Sequence, residues 1–315
     1  MSEEPIDPIC HTLVGASLAE TGLRQRTALG TATLLIAANV PDVDVLAYFW
    51  GSTTALAVRR GVTHGVLALV VWPFLLLGIA LLWDRAMRRR RGRIPDRAVM
   101  PRQILLLGFL GVLTHPTLDF LNTYGMRWLA PFSSQWFYAD TLFIVDPWVW
   151  GLLAVGIVLA RRQGHSGWNG ATVSLAVLGA YVLAMAGSGL YARRLVHHEL
   201  AERGVAAERL MVAPTPVTPF SRRVVAEAGG AYRVGRLRFF GSPRLELDGF
   251  AIPTAVDPRA QPSLDEREAR DFLSWARFPF VVVSGATVWI GDARYGVDPE
   301  VSWAAVALRR QAAER

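Results

Sequence analysis

The sequence predicts a mainly α-helical membrane protein: a polytopic helical bundle followed by a small α+β or all-β domain outside the membrane. Of its 315 residues, 52% are hydrophobic, and a mean hydropathy of +0.29 is high for a soluble protein of this size. The long apolar runs are confined to residues 1–191, whereas residues 192–315 have an ordinary polar composition. We therefore expect a transmembrane domain at 1–191 and an extramembrane domain at 192–315.

Six apolar stretches make up the predicted bundle, at about 8–21, 27–50, 62–83, 103–121, 142–160 and 169–191. The third and sixth reach the roughly 20 residues that a membrane span needs, and the fourth and fifth nearly do. The first is short and fits a half-buried or interfacial helix. Pro41, with the acids Asp42 and Asp44 beside it, interrupts the second, so its helix is expected to end or kink there.

Arginine placement predicts the orientation of the bundle, in a chain that contains no lysine. The connection between the third and fourth stretches carries Arg85, Arg88, Arg89, Arg90, Arg91, Arg93, Arg97 and Arg102. The positive-inside rule places this connection in the cytoplasm. Only Arg59, Arg60 and Arg127 then fall in short outer loops. This pattern predicts a multi-pass membrane protein with the C-terminal domain on the outer face.

Short polar clusters adjoin the apolar stretches and contain His11, Asp42, Asp44, His64, His115, Asp119, Asp140 and Asp146. Imidazoles and carboxylates are costly beside hydrocarbon and persist there mainly where function requires them. The predicted topology brings all of these clusters to the outer membrane face. The other histidines, His165, His197 and His198, lie outside the clusters and are interpreted as solvated or interfacial.

The residue types in these clusters predict a divalent metal site. His115 and Asp119 are four residues apart and share one helix face, although this spacing also makes a simple hydrogen bond. Asp42 and Asp44 follow a proline in a turn that exposes both carboxylates, which also fits an Asx-type turn. We predict His11, Asp42, His64, His115 and Asp119 as ligands. Mixed nitrogen and carboxylate ligands suit zinc best, with manganese and iron as alternatives.

A hydrolytic role follows from this ligand set, since a bound divalent metal lowers the pKa of its water toward neutrality. Asp44 or Asp140 is the candidate to orient that water or accept its proton. Arg59, Arg60 and Arg127 are candidates to hold a substrate phosphate, with interfacial anchoring as the alternative for each. A site at headgroup level suits an amphiphilic ester or phosphoester whose tail stays in lipid.

The order of the motifs carries a family resemblance. The motifs are His11-x-x-x-Gly15, Asn39-x-Pro-Asp-x-Asp44, Arg60-Gly-x-Thr-His64, His115-x-x-x-Asp119 and Tyr124-Gly125. This order resembles the YdjM-like, LexA-regulated inner-membrane proteins, which are described as membrane-bound metal-dependent hydrolases. Similar elements are Pro131-Phe-Ser133, Asp146-Pro147 and the proline-rich strip Pro214-x-Pro-x-x-Pro219. The resemblance therefore spans about residues 8–240. Pro116 is a departure, and it is expected to disturb the helical geometry of His115 and Asp119.

Two other classes of function use the same residues. An ion or proton transporter needs ionisable groups near the bilayer midplane, and the third, fifth and sixth stretches have no acid or histidine in their central parts. A non-catalytic, metal-stabilised membrane stress protein stays open. Nucleic acid is not an expected partner, because the basic connection lies at a membrane edge and no DNA-binding motif occurs. The expected partners are membrane lipid and an amphiphilic small molecule, and the oligomeric state is left open.

The C-terminal domain is predicted from short strand and helix signals. Strands are expected at 231–240 and 244–252, and a charged helix near 263–276. Apolar runs at 280–283 and 287–290 flank Ser284-Gly285, which predicts a hairpin. A domain of this kind on the outer face is in a position to cover the site.

Overall fold

The computed structural model describes residues 7–91, 98–163, 169–239 and 243–311. Arg93 and Arg97 of the basic connection, and His165, lie outside these ranges. Within them, a bundle of helices is followed by two antiparallel sheets with helices between them.

The helices follow the predicted apolar stretches closely. They are α1 (Pro8–Glu20), α2 (Gly30–Ala37), α3 (Ser52–Val58), α4 (Val66–Arg91), α5 (Pro101–Phe120), α6 (Pro147–Gln163) and α7 (Gly170–Glu202), with 3-10 helices at Leu23–Arg26 and Val40–Trp50. The second stretch breaks after α2, as the residues around Pro41 predict, and continues as the longer 3-10 helix. Helix α3 was not predicted, and α7 continues well beyond residue 191.

Three of the described helices are long and apolar enough to cross a membrane: Val66–Arg90, Pro101–Phe120 and Gly170–Glu202. The bent pair Gly30–Ala37 and Val40–Trp50, with a 43° angle between its parts, would make a fourth span. Large apolar side chains on the outer faces of these helices are exposed, among them Leu82 at 65% and Leu183 at 74%. Outward apolar side chains on long helices are typical of contact with lipid rather than water.

Pro116 does not interrupt α5, which corrects the expectation that it disturbs the helix. A proline has no N–H to donate to the carbonyl four residues earlier, here that of Val112. Helices surrounded by lipid and neighbouring helices accommodate such positions. His115 and Asp119 therefore stay one turn apart on a common face, with Nε2 and Oδ2 3.5 Å apart.

Two sheets form the C-terminal part. The strands β1 (Arg209–Pro214), β2 (Ser221–Ala228), β3 (Ala231–Arg238) and β4 (Arg244–Pro253) pair in that order, and β5 (Pro279–Ser284), β6 (Thr287–Asp292) and β7 (Ala305–Arg309) make the second sheet. Helices α8 (Gln261–Leu264) and α9 (Arg267–Trp275) lie between them. The predicted hairpin is confirmed: Ser284 pairs with Thr287, and Gly285 takes the positive φ of +58° that the turn requires.

The second sheet and α9 share a core with the loops of the helical part. Leu56 of α3 and Tyr124 of the loop after α5 belong to the same buried cluster as Phe272, Trp275 and Ile290. Polar contacts reinforce it, since the indole of Trp136 donates to the carbonyl of Ser274 over 2.8 Å. The loops that follow α5 are thus held from one side by the helices and from the other by the second sheet.

Two glycines allow α1, α2 and α5 to pack closely. A Cβ atom added at Gly111 of α5 would lie 2.6 Å from the Cβ of Ala37, and one added at Gly15 would lie 2.9 Å from the carbonyl oxygen of Leu34. Gly15 is four residues after His11, and Gly111 is four residues before His115. The close packing at the glycines therefore brings the two histidines together.

We predict that Gly111→Leu destabilises the protein by about 1–3 kcal/mol, because the added side chain cannot fit against Ala37. Gly78→Leu on α4 is the control, since a Cβ atom there meets nothing within 4 Å. Thermal melting in detergent, followed by tryptophan fluorescence, should show a lower midpoint for the Gly111 variant alone. Equal melting of the two variants would contradict the proposed close packing.

Candidate metal centre

Four side chains from three parts of the chain converge at one end of the helices. His64 lies just before α4, Asp42 on the 3-10 helix after α2, and His115 and Asp119 on α5. The Nε2 atoms of His64 and His115 are 3.1 Å apart. Asp119 Oδ2 lies 3.3 Å from His64 Nε2 and 3.5 Å from His115 Nε2. Asp42 Oδ1 lies 3.8 Å and 3.6 Å from the same two nitrogens.

The other ring nitrogen of each histidine fixes its tautomer. His115 Nδ1 lies 2.7 Å from the carbonyl oxygen of Ala38, which can only accept, so this nitrogen carries the proton. His64 Nδ1 lies 3.2 Å from Asp44 Oδ2 and 2.9 Å from Thr63 Oγ1, and that hydroxyl donates to Asp44. In their neutral forms, both imidazoles therefore direct an Nε2 lone pair toward the other. A carboxylate or carbonyl behind a histidine is the usual support of a metal ligand.

This arrangement fits a divalent cation. In the neutral tautomers, two lone pairs and the carboxylate oxygens of Asp42 and Asp119 face one another without a proton between them. Asp119 Oδ2 is buried and accepts no hydrogen bond from the described residues. The two imidazole nitrogens lie 3.1 Å apart, and their distances to the oxygens of Asp42 and Asp119 run from 3.3 to 3.8 Å, close to the spacing of ligand atoms around one zinc ion. A cation at the centre removes the mutual repulsion of these groups.

His11 adds a fifth candidate ligand on the other side of His115. Its ring stacks on that of His115 with centroids 3.7 Å apart, and its Nε2 lies 3.5 Å from Asp119 Oδ1. Two groups of three can hold an ion: His11, His115 and Asp119 in one, and Asp42, His64 and His115 in the other. All five side chains predicted as ligands therefore lie together, and their roles as ligands stay a prediction.

Arg59 and Arg60 contact the acids of this cluster. Arg60 Nη2 lies 3.0 Å from Asp119 Oδ1, while Nη1 donates to Asn122 over 2.9 Å. The backbone of Arg60 has a φ of +51°, which a residue with a side chain adopts only when its surroundings hold it there. Its N–H donates to Asp44 Oδ2 over 2.8 Å. Arg59 Nη2 lies 3.3 Å from Asp42 Oδ1.

Arg127 has a different set of partners. Its Nη2 donates to the carbonyl oxygens of Ala57, Val58 and Arg59 over 2.7, 3.0 and 3.2 Å. The guanidinium carbon lies 4.9 Å from the centre of the Trp136 ring. These contacts close the loop before His64. The predicted contact of all three arginines with a substrate phosphate stays a prediction, and their present partners are carboxylates and main-chain carbonyls.

Asp140 is not brought to the cluster. Its carboxylate lies 2.9 and 3.0 Å from Arg277 Nη1, and among the described residues no contact joins it to the five candidate ligands. Burial raises the pKa of Asp140, and the guanidinium of Arg277 opposes that shift. Asp44, the other predicted catalytic acid, does lie in the centre, where it supports His64.

A cavity of about 30 Å³ adjoins the candidate metal centre, which is room for ordered water. It is lined by Asp7, Cys10, His11, Arg60, Leu118, Asp119, Asn122, Leu142, Phe143, Ile144, Asp146 and Val149. His11 Nδ1 is buried without a hydrogen bond from the described residues. Asp7 and Asn122 were missed as site residues. Asp7 precedes Pro8 and caps α1, so the sequence signal it carries is that of a helix start.

We predict that Asp44→Asn weakens metal affinity about 10- to 100-fold, because the carboxylate that orients His64 through Nδ1 is lost. Affinity for zinc can be measured by competition with a chelator of known strength. The control is Asp84→Asn, which changes an acid on α4 that pairs with Arg88, four residues further along. An unchanged affinity in the Asp44 variant would exclude a supporting role for this carboxylate.

These features define a membrane protein that buries a cluster of histidines and aspartates able to hold a metal ion. The chain belongs to the YdjM inner membrane protein family, whose family model matches residues 6–191. This confirms the resemblance that the motif order carries. The match covers all five candidate ligands.

One curated relative is similar as well. The protein described as "Uncharacterized protein YfhP" of Bacillus subtilis (strain 168) is 22% identical over 203 residues, or 64% of this chain and 57% of that protein. The chain thus spans little more than half the length of the relative it matches. No solved structure matches the chain.

Proposed function

We propose that this protein is a metal-dependent membrane hydrolase that cleaves an ester or phosphoester bond of an amphiphilic molecule at the outer face of the inner membrane. The observation that carries the proposal is the meeting of the His64 and His115 Nε2 atoms with the carboxylates of Asp42 and Asp119. A buried, carboxylate-supported set of this kind, next to a cavity with room for water, is typical of a hydrolytic metal centre.

The residues of the centre have distinct proposed roles. His64, His115, Asp42 and Asp119 hold the ion, with His11 as a further ligand that faces the cavity. Zinc is the preferred ion, with manganese and iron as alternatives. When bound, the ion supplies an activated water and polarises the bond to be cleaved. Arg60 orients Asp119, and Asp44 orients His64, so both act through a ligand.

The outer-face location rests on charge and on the ends of the helices. Arg161 at the end of α6 pairs with Glu20 at the end of α1 over 2.8 Å, and Arg24 pairs with the same acid. This end also carries the arginines in the last turns of α4, Arg85, Arg88, Arg89 and Arg90. The candidate ligands lie at the opposite end of α1, α4 and α5. With the basic end in the cytoplasm, the site faces outward.

An amphiphilic substrate is proposed because the site lies at the end of the apolar helices rather than in the polar C-terminal part. Aromatic side chains on neighbouring loops are exposed, including Phe49 at 84%, Trp50 at 72% and Phe132 at 79%. Aromatic residues at this level are typical of a membrane interface. A substrate with its tail in lipid can present its polar bond to the centre without leaving the membrane.

The test is turnover by the protein purified in detergent, stripped with a chelator and reloaded separately with zinc, manganese or iron(II). Two fluorogenic probes cover the bond classes, an acyl ester and an alkyl phosphodiester. We expect turnover only after reloading, and its loss in Asp42→Ala but not in His197→Ala, an exposed position on α7. Bound metal without turnover of either probe would favour the non-catalytic stress protein instead. Failure of the protein to bind any of the three ions would contradict both the hydrolase and the metal-stabilised stress protein.

A further inference from the structure

A second and larger cavity lies where the first sheet, the second sheet and the loop after α5 meet. Its volume is about 220 Å³, and the residues that line it include Thr123, Phe143, Arg223, Arg236, Arg294 and Trp303. The proline-rich strip forms another wall through Pro214 and Pro216. This cavity is larger than a site for water and falls just below the size range of small-molecule pockets.

The lining of this cavity is strongly basic. Three arginines line it, and among the described residues that do so there is no Asp or Glu. Arg294 is neutralised by Asp292, 2.8 Å away, outside the cavity lining. Arg223 donates through Nη2 to the carbonyl of Ala293 over 3.0 Å, and its Nε is buried without a hydrogen bond from the described residues.

The remaining positive charge of the cavity comes from the other two arginines of its lining, Arg223 on β2 and Arg236 on β3. Burial lowers the pKa of Arg223, which is the expected direction for a guanidinium with little counter-charge, and Asp248 on β4 opposes that shift. Arg236 is exposed on β3, at the mouth of the cavity. Among the described residues no carboxylate forms a salt bridge with Arg223 or Arg236, and two such guanidinium groups in one cavity make a site for an anion, which arginine binds through paired N–H groups.

Phe143 links this cavity to the candidate metal centre. This residue lines both the 220 Å³ cavity and the small cavity beside His11 and Asp119. The loop after α5 contributes to both as well, with Asn122 in one wall and Thr123 in the other. Phe143 is therefore a shared wall of the two cavities, so the arginine-lined cavity adjoins the one beside the candidate metal centre.

We propose that the arginine-lined cavity binds a phosphate group of the amphiphilic substrate, which places the bond to be cleaved on the metal side of Phe143. This inference rests on the proposed function, and it narrows the substrate class to phosphorylated amphiphiles. It also gives the proline-rich strip a role, as a rigid wall of the headgroup site. Because the walls of this cavity come from two sheets and a loop, no local sequence motif indicates the site.

The test is binding to the chelator-stripped protein, so that it does not depend on turnover. Isothermal titration with dihexanoyl phosphatidic acid, which is soluble, is compared between wild type and the double variant Arg223→Gln/Arg236→Gln. The matched control, Arg233→Gln/Arg238→Gln, removes the same charge from β3 outside the cavity lining. We expect at least a tenfold loss of affinity in the first variant and no change in the control. The single variant Arg236→Gln, at an exposed position, should show an intermediate loss without a folding defect.

The outcomes separate this inference from the hydrolase proposal. Equal losses in both double variants, or no binding by wild type, would overturn the headgroup site while leaving metal-dependent turnover of neutral esters intact. Inorganic phosphate that binds as tightly as the lipid would overturn the substrate assignment in favour of a free anion. Wild-type binding of neutral dihexanoyl glycerol at the same affinity would overturn the role of the phosphate.

Discussion

Replacing both His64 and His115 with alanine should abolish metal binding by the purified protein, which elemental analysis in detergent would measure. Wild type is expected to retain about one or two ions per chain, because buried nitrogen and carboxylate ligands release a divalent ion slowly. The double variant loses both Nε2 atoms that face each other over 3.1 Å, and His115 belongs to both candidate ligand groups. We expect turnover of the ester and phosphodiester probes to be lost with the metal.

The matched control removes two other histidines, His197 and His198, which lie on an exposed part of α7. This variant should keep the full metal content and melt like wild type. Equal metal content in the two double variants would show that the ion, if any, binds elsewhere. A metal-free wild type that cannot be reloaded would remove the basis of the hydrolase proposal.

The sequence predicts which histidines and aspartates come together, because these residue types are unusual beside apolar helices. An imidazole or carboxylate beside a lipid-facing helix is costly, so its presence is informative without any knowledge of the fold. Positive-inside topology then brings residues that are distant in sequence to one face, and the structure does place His11, His64 and His115 in contact. The break near Pro41 was predictable for a similar reason, since proline and two acids cannot continue an apolar helix.

Other parts could not be predicted from local pattern. Asp140 carries the same signal as Asp44, but its partner Arg277 comes from the loop after α9, and only the tertiary fold brings them together. The strands β1 and β2 are almost wholly buried and lack the alternation that marks a half-exposed strand. Pro116 is the opposite case. The local rule that a proline breaks a helix predicts a disturbance, but the packed helix α5 continues through Pro116.

A buried ion pair links the second sheet to the candidate metal centre. Asp292 and Arg294 are fully buried, with Asp292 Oδ2 2.9 Å from the guanidinium Nε. Arg294 Nη1 donates to the carbonyls of Thr123 and Tyr124 over 2.9 and 3.3 Å. The next residue toward α5 is Asn122, whose Oδ1 accepts a hydrogen bond from Arg60 Nη1. Arg60 in turn holds Asp119, so one chain of contacts runs from β6 to a candidate ligand.

We predict that Asp292→Asn destabilises the protein by about 3–5 kcal/mol, because it leaves the Arg294 guanidinium buried without its counter-charge. Arg294→Met should cost a comparable amount, and the double variant less than the sum, since it leaves neither charge unpaired. Thermal melting of the three variants gives this comparison. Arg294→Met should also weaken metal affinity, because the loop that carries Asn122 loses its support.

The chain contains its own control for this prediction. Asp257 and Arg259 have the same two-residue spacing and pair in the same way on an exposed turn. Asp257→Asn and Arg259→Met should leave melting and metal affinity unchanged, because exposed ion pairs contribute little. If Arg294→Met lowers the melting midpoint but leaves the zinc affinity of the folded protein as in wild type, the sheet only stabilises the fold. If Arg294→Met lowers metal affinity and Arg259→Met does not, the second sheet contributes to the candidate metal centre. It does so because it sets the position of Arg60, and Arg60 sets the position of Asp119.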